Sequence, residues 1–165
     1  MINSLSATQY PPANLQSLAR YVSRYQRLSG LQRRVLWASL LLLTFFWLGL
    51  RCFGLQRFQA WLDRSPVADR QPLNLDEAAA IGAAVNIAAN HAPGPATCLT
   101  RSLLLRSVLR RFGTDSELRV GVQIANGGLA AHAWVEMAGQ PINDVPDIAT
   151  RYAAFDKPVS SSRST

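Results

Sequence analysis

The hydrophobic positions of this chain change period along its length, and each change marks a different element. After Pro11-Pro12, the residues Leu15, Leu18, Val22 and Tyr25 recur at helical spacing, which predicts an amphipathic helix over 13–28, broken by Ser29-Gly30. The pattern then saturates in VLWASLLLLTFFWLGL, residues 35–50, with Arg33-Arg34 before it and Arg51 after it. As a helix these residues rise about 24 Å, short of the roughly 30 Å hydrocarbon core of a bilayer. A second apolar piece, Phe53, Leu55, Phe58, Trp61 and Leu62, follows Gly54. The expectation is a helical hairpin, buried against the domain or lying on a membrane surface, in preference to a span.

Residues 64–74 are a linker by composition. Asn74 with Glu77 three residues on predicts a capped helix whose apolar face is Ala78, Ile81, Val85 and Ala88, ending before Pro93-Gly94-Pro95. Thr97 predicts the cap of the next helix, 98–112, closed by Gly113 and buried along Leu104, Leu105, Val108, Leu109 and Phe112. From there the period becomes two. ELRVGVQI alternates at Leu118, Val120, Val122 and Ile124, NGG at 126–128 turns, LAAHAWVEM (129–137) returns, and Ala138-Gly139 turns into QPINDV (140–145). Helices followed by a small antiparallel sheet make an α+β domain. The predicted organisation is a helical extension over 1–74 carrying the apolar hairpin, a core over 75–156, and a disordered tail over 157–165.

Composition adds two constraints. The formal charge is +7, and every basic residue except Lys157 is arginine, so anionic partners are favoured. Arg101, Arg106, Arg110 and Arg111 make no clean groove-reading face, and no nucleic-acid-binding signature accompanies them, so no nucleic acid is expected as partner. The first thirty residues are polar and carry no cleavage-site pattern, and two cysteines make no disulfide framework. The expected setting is the cytoplasm, with peripheral membrane contact through 35–62 left open.

Cys98 at the start of a helix is the notable position. Unpaired first-turn N–H groups and the helix dipole favour a thiolate there, and the same donors suit the oxyanion of a tetrahedral intermediate. His132 is the candidate base. A 137–140 hairpin symmetric about Ala138 would set His132 opposite Asp144, where a carboxylate orients an imidazole; a two-residue turn would shift the register by one. A buried thiol, a satisfied core histidine and a turn aspartate are the plain alternatives, and the conjunction of the three favours catalysis. Trp134 is read as a cleft wall or as core. Among Asn86, Asn90 and His91, the last two are weak candidates for a substrate-binding oxyanion donor, and His91 reads first as a residue satisfying helix C-terminal carbonyls. Glu136 and Asn143 read as surface or turn residues, Asp147 as a fallback for Asp144, and Cys52 as inert. Zinc held by Cys98, His91, His132 and Asp144 lacks recognisable ligand spacing, so no metal is expected.

CLTRSLLLRSVLRRFG, then LRVGV, then AHAWVEMAGQPINDV resembles the transglutaminase-like cysteine proteases that act as leader peptidases in lasso peptide biosynthesis; the likeness covers roughly 75–150. The resemblance implies a papain-like, transglutaminase-like core with Cys98 as nucleophile, His132 as base and Asp144 as orienter. It implies leader removal from a ribosomally made precursor peptide, with a separate leader-recognition protein and an asparagine-synthetase-like lactam cyclase as partners. The family is associated with ATP dependence, but no G-x-x-x-x-G-K-[ST] loop occurs and no cofactor is evident in the sequence. Two other readings stand beside it: a different acyl transferase or amidase on the same core, and a non-catalytic membrane-associated scaffold.

Overall fold

The computed structural model of the protein describes residues 29–64, 71–125 and 128–155. The expected helix over 13–28, most of the linker at 65–70, the turn at 126–127 and the tail over 157–165 lie outside them. Helix α1 (Gly30–Leu62) opens with a capping box: Gln32 N–H donates to the Ser29 hydroxyl, and Ser29 N–H donates to the Gln32 side chain. Its helical path breaks at Gly54, where φ is 71° and ψ 168°, a conformation open to glycine alone. An unbroken helix would separate Phe45 and Trp61 by about 24 Å; their ring centroids are 6.0 Å apart. The chain therefore folds back on itself. Phe46 meets Phe58 edge to face at 5.3 Å, and a Cβ on Gly49 would sit 2.3 Å from the Phe58 ring, so only glycine admits this packing.

Helix α2 (Leu75–His91) carries the Asn74–Glu77 capping box and two acidic residues in its first turn, where the dipole favours them. Its expected face is buried, together with Gly82 and Ala84. Helix α3 (Cys98–Arg111) starts at Thr97, whose hydroxyl accepts from Thr100 N–H. Leu103, Leu104, Leu105 and Leu109 are fully buried, while Val108 and Phe112 pack only at the margin. Strands β1 (Glu117–Ala125) and β2 (Gly128–Met137) pair antiparallel, with Val120 opposite Ala133 and Gly121 opposite His132. A two-residue strand β3 (Gln140–Pro141), a single-turn helix α4 (Ile148–Arg151) and a two-residue strand β4 (Ala153–Ala154) complete a sheet ordered β3-β2-β1-β4.

Leu118 and Val135 face the helices, and with the buried residues of α1, α2 and α3 they form one apolar cluster. The hairpin thus shares the core of the α+β domain. Strand alternation puts His132, Trp134 and Glu136 on the other face.

Candidate active site

The turn joining β2 to β3 is a residue shorter than the symmetric hairpin expected from the sequence. Met137 pairs with Gln140 and Glu136 with Pro141, and Ala138 (φ 50°) and Gly139 (φ 75°) form the two-residue turn between them. That register does not set Asp144 opposite His132. Asp144 reaches the imidazole another way, because the chain leaves the ladder just before it.

The departure follows from the free edge of β2. In an antiparallel pair, alternate residues turn their N–H and C=O groups away from the neighbouring strand. Val120 accepts from Phe155 N–H on its β4 side, so Ala133 opposite it points its own groups outward, away from β1. Each needs a partner. Val135 C=O takes the Ile142 N–H at 3.0 Å, the last ladder bond. Val135 N–H instead donates to the Asn143 side-chain oxygen at 2.8 Å, and Asn143 Nδ2 donates to Ser102 Oγ at 3.0 Å. Ser102 in turn donates to Ala133 C=O at 2.9 Å, tying α3 to the strand. Asn86 on α2 donates to the Asn143 carbonyl at 2.8 Å. Gly82 permits this approach: a Cβ there would lie 2.5 Å from the Ile142 oxygen.

These bonds drive residue 143 inward and set residue 144 beside the imidazole. Asp144 Oδ2 lies 2.6 Å from His132 Nε2, and its other oxygen accepts from Val145 N–H at 2.9 Å. With Nε2 committed to Asp144, Nδ1 is the ring nitrogen left for a second partner. The Cys98 thiol lies beside the His132 ring and near the Ala133 and Leu99 N–H groups. The hydrogen bond to His132 lowers the thiol pKa below its ordinary 9.0, aided by those two backbone donors and opposed by burial. The same hydrogen bond raises His132 above its ordinary 6.5, Asp144 adds to the rise, and burial opposes it. Both shifts favour thiolate beside imidazolium. Cys98 is half-buried, and the His132 and Asp144 side chains keep about a fifth of their surface open, so small groups can reach them.

Aromatic rings hold the histidine. Tyr152 packs 5.1 Å from the His132 ring and Trp134 stacks at 6.3 Å. Gly121, opposite His132, leaves room for both: a Cβ there would meet Tyr152 Cβ at 2.9 Å and the Trp134 ring at 3.0 Å.

Other sequence candidates fall elsewhere. Trp134 is 0% exposed, its indole N–H donating to Glu136 at 2.7 Å, so it supports the histidine from the core and forms no outer cleft wall. Glu136, expected at the surface, is largely covered and lies 3.4 Å from Arg119. Asn143, expected as a turn residue, is buried at the centre of the network. Asp147 pairs with Arg151 at 2.7 Å and is not at the imidazole. His91 Nδ1 bonds the Ile87 carbonyl at 2.8 Å, the C-terminal role the sequence suggested, and Asn90 is exposed beside it at the end of α2. Cys52 is exposed on α1.

Ser102 and Gly121 fall in the stretches that carry the family resemblance but were given no role from the sequence, and Tyr152 was not singled out. Ser102 carried a signal: it lies four residues after Cys98, on the same helix face, among leucines. Among the described residues no group of three His, Cys, Asp or Glu side chains is arranged to hold a metal ion. A polar depression lined by Arg106, Arg110, Gly113, Thr114, Asp115 and Ser116 lies at the far end of α3 from Cys98, where Asp63 pairs with Arg106 at 3.0 Å; it includes none of Cys98, His132 and Asp144.

Comparison with known proteins gives three findings. Residues 40–156 match a family model described as the transglutaminase-like superfamily. Over 58 residues the chain is 34% identical to the microcin J25-processing protein McjB of Escherichia coli, a match covering 35% of this chain and 27% of that protein, so it spans about a quarter of the curated relative. No solved structure matches the chain.

Proposed function

The chain belongs to the transglutaminase-like superfamily, and from that premise we propose that it is a cysteine peptidase removing the leader from a ribosomally synthesised lasso precursor peptide. The observation that carries the reading is the 2.6 Å hydrogen bond between His132 and Asp144 beside the Cys98 thiol, which starts a helix and is partly open to solvent. The likeness to a protein that processes a microcin supports the substrate class.

The chemistry follows from the charges. The Cys98 thiolate attacks the scissile carbonyl, forming an S–C bond and placing negative charge on the oxygen. Cys98 N–H, a first-turn donor that no intrahelical carbonyl claims, would stabilise that charge. Imidazolium His132 gives its Nδ1 proton to the leaving amine as the C–N bond breaks, leaving a thioester on Cys98. Neutral His132 then takes a proton from water, whose oxygen attacks the thioester, and thiolate departs. Asp144 holds the tautomer and stabilises the imidazolium throughout. The freed amine of the core peptide is the group that a partner cyclase of the asparagine-synthetase-like kind would join to an Asp or Glu side chain. A small leader-recognition protein would present the precursor.

Incubation with the precursor encoded beside its gene, together with that recognition protein, tests the reading by mass spectrometry. Wild type should release leader and core, and Cys98→Ala should release neither while keeping its circular dichroism. Cleavage by Cys98→Ala at the wild-type rate, or a wild type that transfers the acyl group only to amines, would overturn it.

A further inference from the structure

All of the chain's excess positive charge lies in its first 62 residues. They contain seven arginines and no aspartate or glutamate, while residues 63–165 hold ten basic and ten acidic side chains and are neutral. Four of the seven, Arg33, Arg34, Arg51 and Arg57, belong to α1, which carries an exposed apolar stripe. Leu41 is 80% exposed and Trp37 58%, with Phe45 and Leu48 following at helical spacing, and exposed Arg34 and Arg51 stand at the two ends. From Arg34 to Arg51 the stripe runs about 26 Å. Trp61, half-exposed, joins it beside Phe45 from the returning arm, and exposed Arg57 lies on that arm.

We infer that this face of the hairpin binds an anionic lipid surface, lying in the plane of the membrane. Charge complementarity selects the occupant: a stripe of exposed Leu, Phe and Trp framed by cations, with no acidic side chain in α1, fits apolar insertion among anionic headgroups. Orientation follows from packing. The stretch has a mean hydropathy of 1.8, high enough for a span, yet the opposite face of the same helix, Val35, Leu36, Leu43 and Phe46, is buried in the domain core with Ile81 and Leu104. Spanning would strip that face from the core and expose its partners. Lying flat keeps the core intact and covers only the exposed stripe, with the arginines at headgroup level. The inference makes no use of the peptidase chemistry, so either can fail alone.

The test uses the full chain carrying Cys98→Ala, in which Cys52, exposed beside Arg51, is the remaining thiol and takes an environment-sensitive dye. Vesicles of phosphatidylcholine with and without phosphatidylglycerol are compared by sedimentation and dye emission. The expected result is a blue shift and pelleting with anionic vesicles, at least about tenfold weaker on phosphatidylcholine alone. Arg34→Gln or Arg51→Gln should each weaken binding by about fivefold. The double variant Leu41→Ser, Leu48→Ser, both exposed positions, should abolish binding with unchanged circular dichroism. Absent binding, equal binding to both vesicle types, pelleting without a dye shift, or a solution dimer that the double variant dissociates would each overturn the inference.

Discussion

Asp144 and His132 share a hydrogen bond whose worth depends on the proton the imidazole carries. Asp144→Asn keeps the shape of the contact and removes the charge that helps raise His132. In the ion-pair form, activity needs Cys98 deprotonated and His132 protonated. The acid limb of the rate profile then follows the thiol, below its ordinary value, and the base limb follows the imidazole, above its ordinary value. Asp144→Asn should move the base limb to lower pH and reduce kcat on the order of 10³-fold or more; precursor cleavage measured across pH checks both. Gly121→Ala tests the aromatic support. Tyr152 Cβ and the buried Trp134 ring cannot both clear a new methyl, so a loss of about 1–3 kcal/mol in urea unfolding is expected, with slower cleavage. The three principal side chains were legible because each is a distinctive residue at a distinctive place. Tyr152 was not, since nothing local announces that a tyrosine after a single helical turn will cover a histidine two strands away.

At the scale of elements, the edge of β2 decides the site. Asn143 satisfies Val135 N–H and, through Ser102, the link to α3. Asn143→Ala should cost about 1–3 kcal/mol by leaving the buried Val135 N–H without an acceptor. It should also displace Asp144, so cleavage should fall further than the stability loss alone accounts for; parallel unfolding and kinetic assays separate the two. The sequence pattern announced β2 and the place of the turn, and it reached the Asp144 contact through a symmetric hairpin that the chain does not form. It could not supply the register, because side-chain period fixes which face a residue takes and leaves the turn to fix its partner. The aspartate meets the histidine by a side chain replacing a ladder bond, an event with no periodic signature. Gly54→Ala belongs at this scale too: the positive φ resists a Cβ, and the expected result is a loss of roughly 1–3 kcal/mol with weaker docking of the returning arm.

Over the whole molecule, the helical hairpin and the α+β core are one packing unit, and the matching family region begins at residue 40, inside α1. The apolar run at 35–50 was plain in the sequence, but which of its faces would be covered was not: a segment apolar all round has no polar side to mark its exposed stripe. In the fold it divides into a buried stripe and an exposed one. The exposed stripe and the thiol lie in different parts of this packing unit, so lipid binding and cleavage should be separable: Leu41→Ser should weaken the first alone and Cys98→Ala abolish the second alone.

The proposed chemistry requires a thiolate at Cys98 paired with an imidazolium at His132. Its most direct measurement is the pH dependence of iodoacetamide alkylation at Cys98, followed by mass spectrometry with Cys52 replaced by serine. The predicted curve has its midpoint clearly below the ordinary thiol value of 9.0 and moves up when His132 becomes alanine. A midpoint at the ordinary value that ignores the His132 substitution, or a thiol that iodoacetamide never reaches in the folded protein, would contradict it.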